Sequence, residues 1–363
     1  HALATKTSTG FGVKGILAFS SVPTGTISVG AEPTIVWTKS GVMPTVNLYY
    51  DKGAGDVLIT AGLTGTSTVW TVTDAVVDNS VTLKVKDADA THPLTEISSS
   101  SFAVTGSLAM TDPAALLTVG TLETLSWGKT PTIVSLDLYY SVNGGAWVSI
   151  ATAQSGTTYP WTPPAAAIGN SVRVKVVDAD VTHPATESIS NPVAIQGVFA
   201  FTASPSGTLT VGDTPITVTW TKTSTIASSS LYYEVDGAET LITTLADPTV
   251  TYNWTVPPEA VDGTVTLKLK DATANHTLAT KTSAAFGVKG ILAFSSAPTG
   301  TITVGDEPTI VWTKSGNMPT VNLYYDIGAG DVLIASGLTG TSTVWTVTDA
   351  SVDTSVTLKV KDA

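Results

Sequence analysis

The strongest constraint on the fold of this chain is a repeat of about ninety residues. The segment VTLKVKD at residues 81–87 returns as VRVKVVD, VTLKLKD and VTLKVKD, and its closing aspartates are 91, 93 and 91 residues apart. A longer period overlies this one, because residues 1–88 match residues 276–363 with 12 differences in 88 positions. Three units of different sequence therefore make up one larger repeat, and the fourth unit is the start of a second copy of that larger repeat. This pattern predicts an array of similar domains, and we expect the 363 residues to be a segment of a longer one.

Each repeat has the pattern of β-strands. In residues 81–87 the apolar Val81, Leu83 and Val85 alternate with polar residues, which is typical of a strand with one buried and one solvated face. Threonine, valine, isoleucine and aromatic residues dominate between glycine and proline turn signals, and no segment keeps a helical period. About seven short strands in 90–100 residues are typical of an immunoglobulin-like sandwich. The predicted fold class is all-β, a tandem array of immunoglobulin-like β-sandwich domains.

Short junctions separate the repeats. Four dipeptides, each following an apolar strand end, mark the predicted boundaries: Lys14-Gly15, Thr105-Gly106, Gln196-Gly197 and Lys289-Gly290. The predicted domains are residues 15–105, 106–196, 197–289 and 290–363, and residues 1–14 are the orphan last strand of a preceding domain. Junctions this short leave little freedom to swing, so we expect a stiff rod with about 40 Å per domain.

The ends of the sequence are out of phase with this folding unit. Residues 1–13 match 276–288, the last strand of a domain, whereas the fourth domain stops at Ala363 before its own copy of that strand. A domain without an edge strand is a site for strand addition. We therefore expect an assembly strand, carrying Leu3, Thr5, Phe11 and Val13, to complete another copy of the chain head to tail, by donor-strand complementation, into a filament. In the alternative, which the near-identity of the end units favours, a longer covalent chain supplies the strand.

Composition excludes several classes of function. The chain has 17 basic and 29 acidic residues, a net charge of −12 and no cysteine. The acidic balance argues against a nucleic-acid partner, and the lack of cysteine excludes disulfides and thiolate metal sites. No apolar run reaches the roughly 18 residues of a membrane span. No catalytic triad, paired-carboxylate cleft or phosphate loop is recognisable, so the sequence predicts neither an enzyme nor a cofactor.

The aromatic residues divide into a core set and one exception. Eight of the nine tryptophans form pairs separated by 33 or 34 residues, and such recurrence is expected of core packing between two sheets. The exception, Trp147, is expected to be partly exposed and is the one ligand candidate. Tyrosine pairs also recur, and because adjacent strand residues point to opposite faces, one ring of each pair should enter the core.

Polar loops offer a weak candidate for a metal site. His92 and His183 close the loops DADATHP and DADVTHP, where a hydrogen bond that fixes the loop is the default expectation. Carboxylates there are hard oxygen ligands for calcium, but the third repeat loses its second carboxylate. No metal is therefore assigned, and the weak calcium candidates are Asp87, Asp89, Asp178 and Asp180.

Eight of the 17 basic residues lie on one strand type and are predicted to point outward. They would form a basic stripe that contacts acidic loops of a neighbouring molecule, or simply keep a wet face soluble. These lateral contact candidates are Lys84, Lys86, Arg173, Lys175, Lys268, Lys270, Lys359 and Lys361.

The repeat also resembles a known family. Its motifs include PTG at residues 23–25, IVW at 35–37, VNLYY at 46–50, WTV at 70–72 and FAV at 102–104. This pattern resembles the Ig-like modules of microbial extracellular surface and cell-wall proteins, including the Ser/Thr-rich, GPI-anchored fungal cell-wall family. The resemblance implies an extracellular, cell-surface location and a structural role as a filament, fibre or layer. The alternative it leaves open is an adhesin stalk or carbohydrate-binding module array that contacts cell-wall polysaccharide.

Overall fold

The computed structural model describes residues 4–274 and 276–363. The described chain consists of β-strands and four single-turn 3-10 helices, at Asp74–Val76, Ala165–Ala167, Pro258–Ala260 and Asp349–Ser351. In these ranges no helix has both the length and the apolar character that crossing a membrane requires. The chain divides into two compact units, His1–Ile195 and Gln196–Ala363.

The first sandwich contains nine strands. They are β1 (Ile16–Ser21), β2 (Thr26–Ser28), β3 (Thr34–Ser40), β4 (Val46–Asp51), β5 (Asp56–Leu63), β6 (Ser67–Val69), β7 (Asp78–Asp87), β8 (Glu96–Ser98) and β9 (Phe102–Thr105). One sheet has the order β1-β3-β6, and the other has the order β2-β9-β7-β4-β5, with β8 also paired to β7. Strand β2 runs parallel to β9, and Thr26 pairs with Ala103.

The second and third sandwiches repeat this plan. The strands of the second are β10 (Leu108–Met110), β11 (Leu116–Thr118), β12 (Glu123–Lys129), β13 (Leu136–Val142), β14 (Val148–Gln154), β15 (Thr158–Trp161), β16 (Gly169–Asp178), β17 (Glu187–Ile189) and β18 (Val193–Gln196). The strands of the third are β19 (Phe199–Ala203), β20 (Thr208–Thr210), β21 (Ile216–Lys222), β22 (Ser228–Val235), β23 (Ala238–Ala246), β24 (Thr251–Trp254), β25 (Asp262–Asp271), β26 (Thr280–Thr282) and β27 (Phe286–Lys289). Each again has a three-stranded and a six-stranded sheet.

The two sheets of each sandwich enclose one core. In the first sandwich, Trp37 from β3 packs in the same buried cluster as Leu48 from β4 and Leu83 from β7. Burial alternates along β7 as the period-two pattern predicts, with Val81, Leu83 and Val85 inside. A three-stranded sheet facing a larger sheet, whose edge strand runs parallel to the last strand, is an immunoglobulin-like arrangement. The predicted all-β tandem fold is confirmed.

The fourth sandwich is incomplete on one side. Its strands are β28 (Ile291–Ser296), β29 (Thr309–Ser315), β30 (Val321–Asp326), β31 (Asp331–Leu338), β32 (Ser342–Val344) and β33 (Thr357–Asp362). The second sheet contains only β31-β30-β33, and among the described residues nothing takes the places of β2, β8 and β9. This sandwich is a natural comparison for the first, because the two sequences are nearly identical.

Burial measures the effect of the missing strands. Val81 of the first sandwich lies on β7 and pairs with Phe102 of β9. Val81 is fully buried, whereas its counterpart Val356 is 38% exposed. Since both positions carry valine and the fourth sandwich, among its described residues, has no counterpart of β9, the difference comes from the missing strand. The core of the fourth sandwich is therefore open at one edge.

The segment predicted to be an assembly strand forms no strand within this chain. Residues 4–15 are not part of any sheet, and Phe11 and Val13 are 81% and 76% exposed. Thr5 is also exposed, and Leu3 lies outside the described residues. Strand donation by these residues stays a prediction.

Within the first compact unit, the first and second sandwiches are held together by hydrogen bonds. The backbone amide of Asn79, in β7, donates to the carbonyl of Thr182 at 2.8 Å. The Asn79 side-chain amide donates to the carbonyls of Val181 at 3.1 Å and His183 at 3.0 Å. The histidine loop of the second sandwich therefore rests on the end of the first.

Candidate interaction surfaces

The eight tryptophans that recur in register are all buried, as the repeat predicts. They are Trp37, Trp70, Trp127, Trp161, Trp220, Trp254, Trp312 and Trp345. Neighbouring rings support them: Phe286 meets Trp254 edge to face, with ring centroids 5.9 Å apart. One tyrosine of each pair also packs inward; Tyr325, for example, stacks on Trp345 with centroids 5.8 Å apart. These rings are core residues and offer no surface for a ligand.

The histidine loops are fixed by a repeated hydrogen bond. His92 Nδ1 donates to Asp87 Oδ2 at 2.7 Å, and His183 makes the same 2.7 Å contact with Asp178. The hydrogen bond that Asp87 accepts raises the pKa of His92 above its ordinary value, because the carboxylate stabilises the charged imidazole. This agrees with the expectation that the histidine fixes its loop.

The weak calcium candidates lie in these loops and already have partners. Asp87 Oδ1 accepts a hydrogen bond from the amide of Asp89 at 3.1 Å, and Asp89 Oδ1 accepts two from Thr91. Asp178 and Asp180 repeat this arrangement. In residues 4–274 and 276–363 no group of three or more acidic, histidine or cysteine side chains is placed to hold a metal ion. A calcium ion here would have to displace the loop's own hydrogen bonds.

The lysines predicted to form a basic stripe are paired within their own sandwich. Lys84 Nζ lies 2.9 Å from Asp51 and 2.6 Å from Asp56, and Lys86 contacts the second oxygen of Asp56 as well as Glu96 at 3.0 Å. Hydrogen bonds from Lys84 and Lys86 hold the pKa of Asp56 below its ordinary value. We call this arrangement, two lysines sharing one carboxylate, the lysine ladder.

The ladder recurs in the third and fourth sandwiches. Lys268 and Lys270 share Glu239, while Lys359 and Lys361 share Asp331. The hydrogen bonds that Lys359 donates to Asp326 and then to Asp331 raise the pKa of Lys359 to about 12. These charges are largely compensated locally, so the outward face is not a free positive stripe. Their part in lateral contacts stays a prediction.

The second sandwich departs from this ladder. Strand register makes Lys175 the counterpart of Lys84, because these residues pair with Tyr139 and Tyr49. Arg173 pairs with Ser141, whereas in the first sandwich Thr82 pairs with Asp51. Arg173 therefore replaces a threonine, and Ser141 replaces a carboxylate. Sequence comparison alone grouped Arg173 with the ladder lysines and missed this exchange.

Trp147 replaces the other carboxylate. It precedes Val148, which pairs with Tyr140 as Val57 pairs with Tyr50, so it takes the position of Asp56. The ring is half-buried, and Lys175 Nζ lies 4.6 Å from its centroid. A cation–π contact thus takes the place of an ion pair, and Lys175 also contacts Glu187 at 3.0 Å.

Arg173 is exposed and, within the described residues, has no carboxylate at ion-pair distance. It borders a shallow cleft of about 500 Å³ with Ser141, Asn143, Gly144 and Ser171. The outward face of β13, β14 and β16 therefore combines a cation that has no ion-pair partner, hydrogen-bonding side chains and a half-buried indole.

Comparison with known proteins leaves the family open. No family model matches the chain, so the fungal cell-wall family is not shown, and no curated protein matches it in sequence. Similar solved structures include a tetra-tandem repeat in the extending region of a large adhesion protein, at 18% identity over 96% of this chain and 95% of that chain, with a TM-score of 0.32. The D1–D4 ectodomain fragment of ICAM-5 is 12% identical over 97% of this chain and 99% of that chain, with a TM-score of 0.33. A Ca2+-stabilized adhesin that helps an Antarctic bacterium bind ice is 12% identical over 97% of this chain and 99% of that chain, with a TM-score of 0.19. Likenesses this low carry no argument about function, and the fold rests on strand topology.

Proposed function

We propose that this chain is a segment of an extracellular structural array, a stalk or surface filament built from immunoglobulin-like sandwiches. The near-identical repeats, the one- or two-residue junctions and the hydrogen-bonded joint at Asn79 support a stiff connecting role. The recurrent tryptophans are buried in the cores, and the ladder lysines form ion pairs within their own sandwiches. We propose no catalytic role.

The observation that carries this proposal is the open edge of the fourth sandwich. Val356 is exposed there, although its counterpart Val81, which pairs with Phe102 of β9, is buried in the first sandwich. Exposed apolar surface beside unpaired strand edges favours addition of another strand. We propose that such a strand closes this edge in the working protein.

The strand that would fit this open edge has the sequence of β27, which occupies the equivalent place in the third sandwich. There Phe286 is 3% exposed, packs on Trp254, and lies on β27 between β25 and β20. Residues 11–14 repeat FGVK of residues 286–289 without change, and their Phe11 and Val13 side chains are exposed. The strand comes either from residues 4–14 of another copy or from the same sequence further along a longer chain. Both sources give the same pairing.

The test is a concentration series of the purified chain by light scattering, with and without a synthetic peptide of residues 279–289. End-to-end assembly that the peptide inhibits would support donation between copies. A chain that stays monomeric but binds the peptide at the fourth sandwich would support the longer covalent array. A chain that neither assembles nor binds the peptide would refute strand closure.

A matched pair of variants identifies the contact. Phe11→Asp places a charge where Phe286 is buried in the third sandwich, and it should abolish assembly. Thr7→Asp introduces the same charge at a position whose counterpart, Thr282, is exposed, and it should leave assembly intact. Equal effects of the two variants would contradict the proposed pairing.

A further inference from the structure

In three of the four sandwiches two outward lysines share one carboxylate, and in the second sandwich this shared carboxylate is absent. In the first, third and fourth, the ladder lysines share Asp56, Glu239 or Asp331. The second sandwich has Trp147 at that position and Ser141 in place of the neighbouring acid. The two ladder carboxylates are thus absent from this face. By the same register Val177 replaces Lys86 and Asp137 replaces Asn47, while Arg173, the only arginine in the chain, stands where the first sandwich has Thr82.

Arg173 is suited to bind an anion rather than to stabilise the sandwich. Its side chain is exposed and has no ion-pair partner among the described residues, although the chain as a whole has an excess of acids. A guanidinium group presents a planar set of donors that matches the two oxygens of a carboxylate. The cleft beside it offers the hydroxyl of Ser171 and the amide of Asn143, which suit a ligand rich in hydroxyl groups.

Trp147 adds a flat apolar surface next to this anion site. Its ring lies against Lys175, which is two residues from Arg173 on the same face of β16, a separation of about 7 Å. A face that presents the guanidinium group of Arg173, hydroxyl partners and an indole on neighbouring strands fits a sugar that carries a carboxylate. An acidic peptide or a nucleic acid would bind the positive charge of Arg173, but neither requires a cation, hydroxyl groups and an indole side by side.

We propose that the outward face of β13, β14 and β16 in the second sandwich binds acidic polysaccharide. Arg173 holds the carboxylate of a uronic acid, and Trp147 packs on the sugar ring beside it. The first, third and fourth sandwiches lack both residues at these positions, so the array carries this site in one of its four described repeats.

The test uses the whole chain and sodium polygalacturonate as the probe, with binding measured by calorimetry at low salt. Pullulan serves as the neutral polysaccharide and polyglutamate as an acidic polymer without sugar rings. Binding of polygalacturonate that weakens with salt, with little binding of the other two, would support the proposal. No binding of polygalacturonate, or equal binding of polyglutamate, would overturn it.

Variants locate the site. Arg173→Thr introduces the residue that sister sandwiches carry at this position, so the strand should fold normally, and affinity should fall by about tenfold or more. Trp147→Ala should weaken binding, whereas Trp147→Phe retains a ring and should preserve most of it. Lys281→Thr removes the same charge as Arg173→Thr from an exposed position in β26 and should have little effect. If Arg173→Thr and Lys281→Thr act alike, binding is non-specific and the proposed site is wrong.

Discussion

Phe11 and Phe286 occupy the same position of the repeat, and replacing each of them in turn tests where the last strand of a repeat is buried. Phe286 is buried on β27 and meets Trp254 edge to face. Replacing a buried phenylalanine with alanine costs about 3–5 kcal/mol, because transfer free energy is lost and a cavity remains. Of this, the ring–ring contact contributes about 0.5–1.5 kcal/mol. Phe286→Ala should therefore destabilise the third sandwich by about 3–5 kcal/mol.

The matched change is Phe11→Ala at the same position of the repeat. Phe11 is exposed within the single chain, so its removal should leave the free energy of unfolding of a dilute sample almost unchanged. If another copy receives the strand, the cost should appear as protein concentration rises, since assembly stabilises only the folded state. The two variants thus separate burial within the chain from burial between chains.

Hydrogen exchange followed by mass spectrometry can assign both effects to particular strands of the intact protein. In Phe286→Ala, amides of β25 should exchange more than about a hundredfold faster, since every 1.4 kcal/mol changes an equilibrium about tenfold. The first sandwich should be unaffected. A change of less than about tenfold would refute the packing of β27 described here. A loss in dilute Phe11→Ala as large as that in Phe286→Ala would refute the exposure of residues 4–14.

Two further predictions concern the joint and the lysine ladder. Asn79→Thr, which introduces the residue found at position 354, removes both hydrogen bonds that the Asn79 side chain donates to the second sandwich. Amides of the loop at 180–184 should then exchange several-fold faster, and an unchanged loop would contradict a role in the joint. In the fourth sandwich, a hydrogen bond from Lys359 lowers the pKa of Asp331 below its ordinary 3.8. Ionised Asp331 therefore stabilises the fold above pH 3.8, and this contribution is lost as the pH falls through its folded-state pKa. Asp331→Asn should flatten the acid dependence of the urea midpoint, and identical pH profiles for variant and parent would refute the ladder.

Much of the fold follows from periodicity in the sequence. Alternation along residues 81–87 gives the inward positions of β7, and the spacing of the tryptophans gives the paired core rings, because both depend on local geometry that every repeat shares. A hydrogen bond by which His92 fixes its loop was also expected, and its acceptor is Asp87, five residues earlier in the same loop.

The ladder was not predicted, because its partners are distant in sequence. Lys84 meets Asp51 and Asp56, which lie 33 and 28 residues away on neighbouring strands, and only strand register brings them together. The same register shows that Trp147 stands at the position of a carboxylate. A comparison of repeats that aligned strands β5 and β14 could have found this signal, but the turns before them differ in sequence.

The parallel pairing of β2 with β9 has a consequence for how such a chain evolves. Because the entry and exit strands run in the same direction, the polypeptide enters a sandwich at one end and leaves it at the other. A duplicated unit can then be inserted at a junction without reversing the direction of the chain. The inserted unit contains its own hydrophobic core. This topology therefore permits the kind of duplication that the match between residues 1–88 and residues 276–363 records.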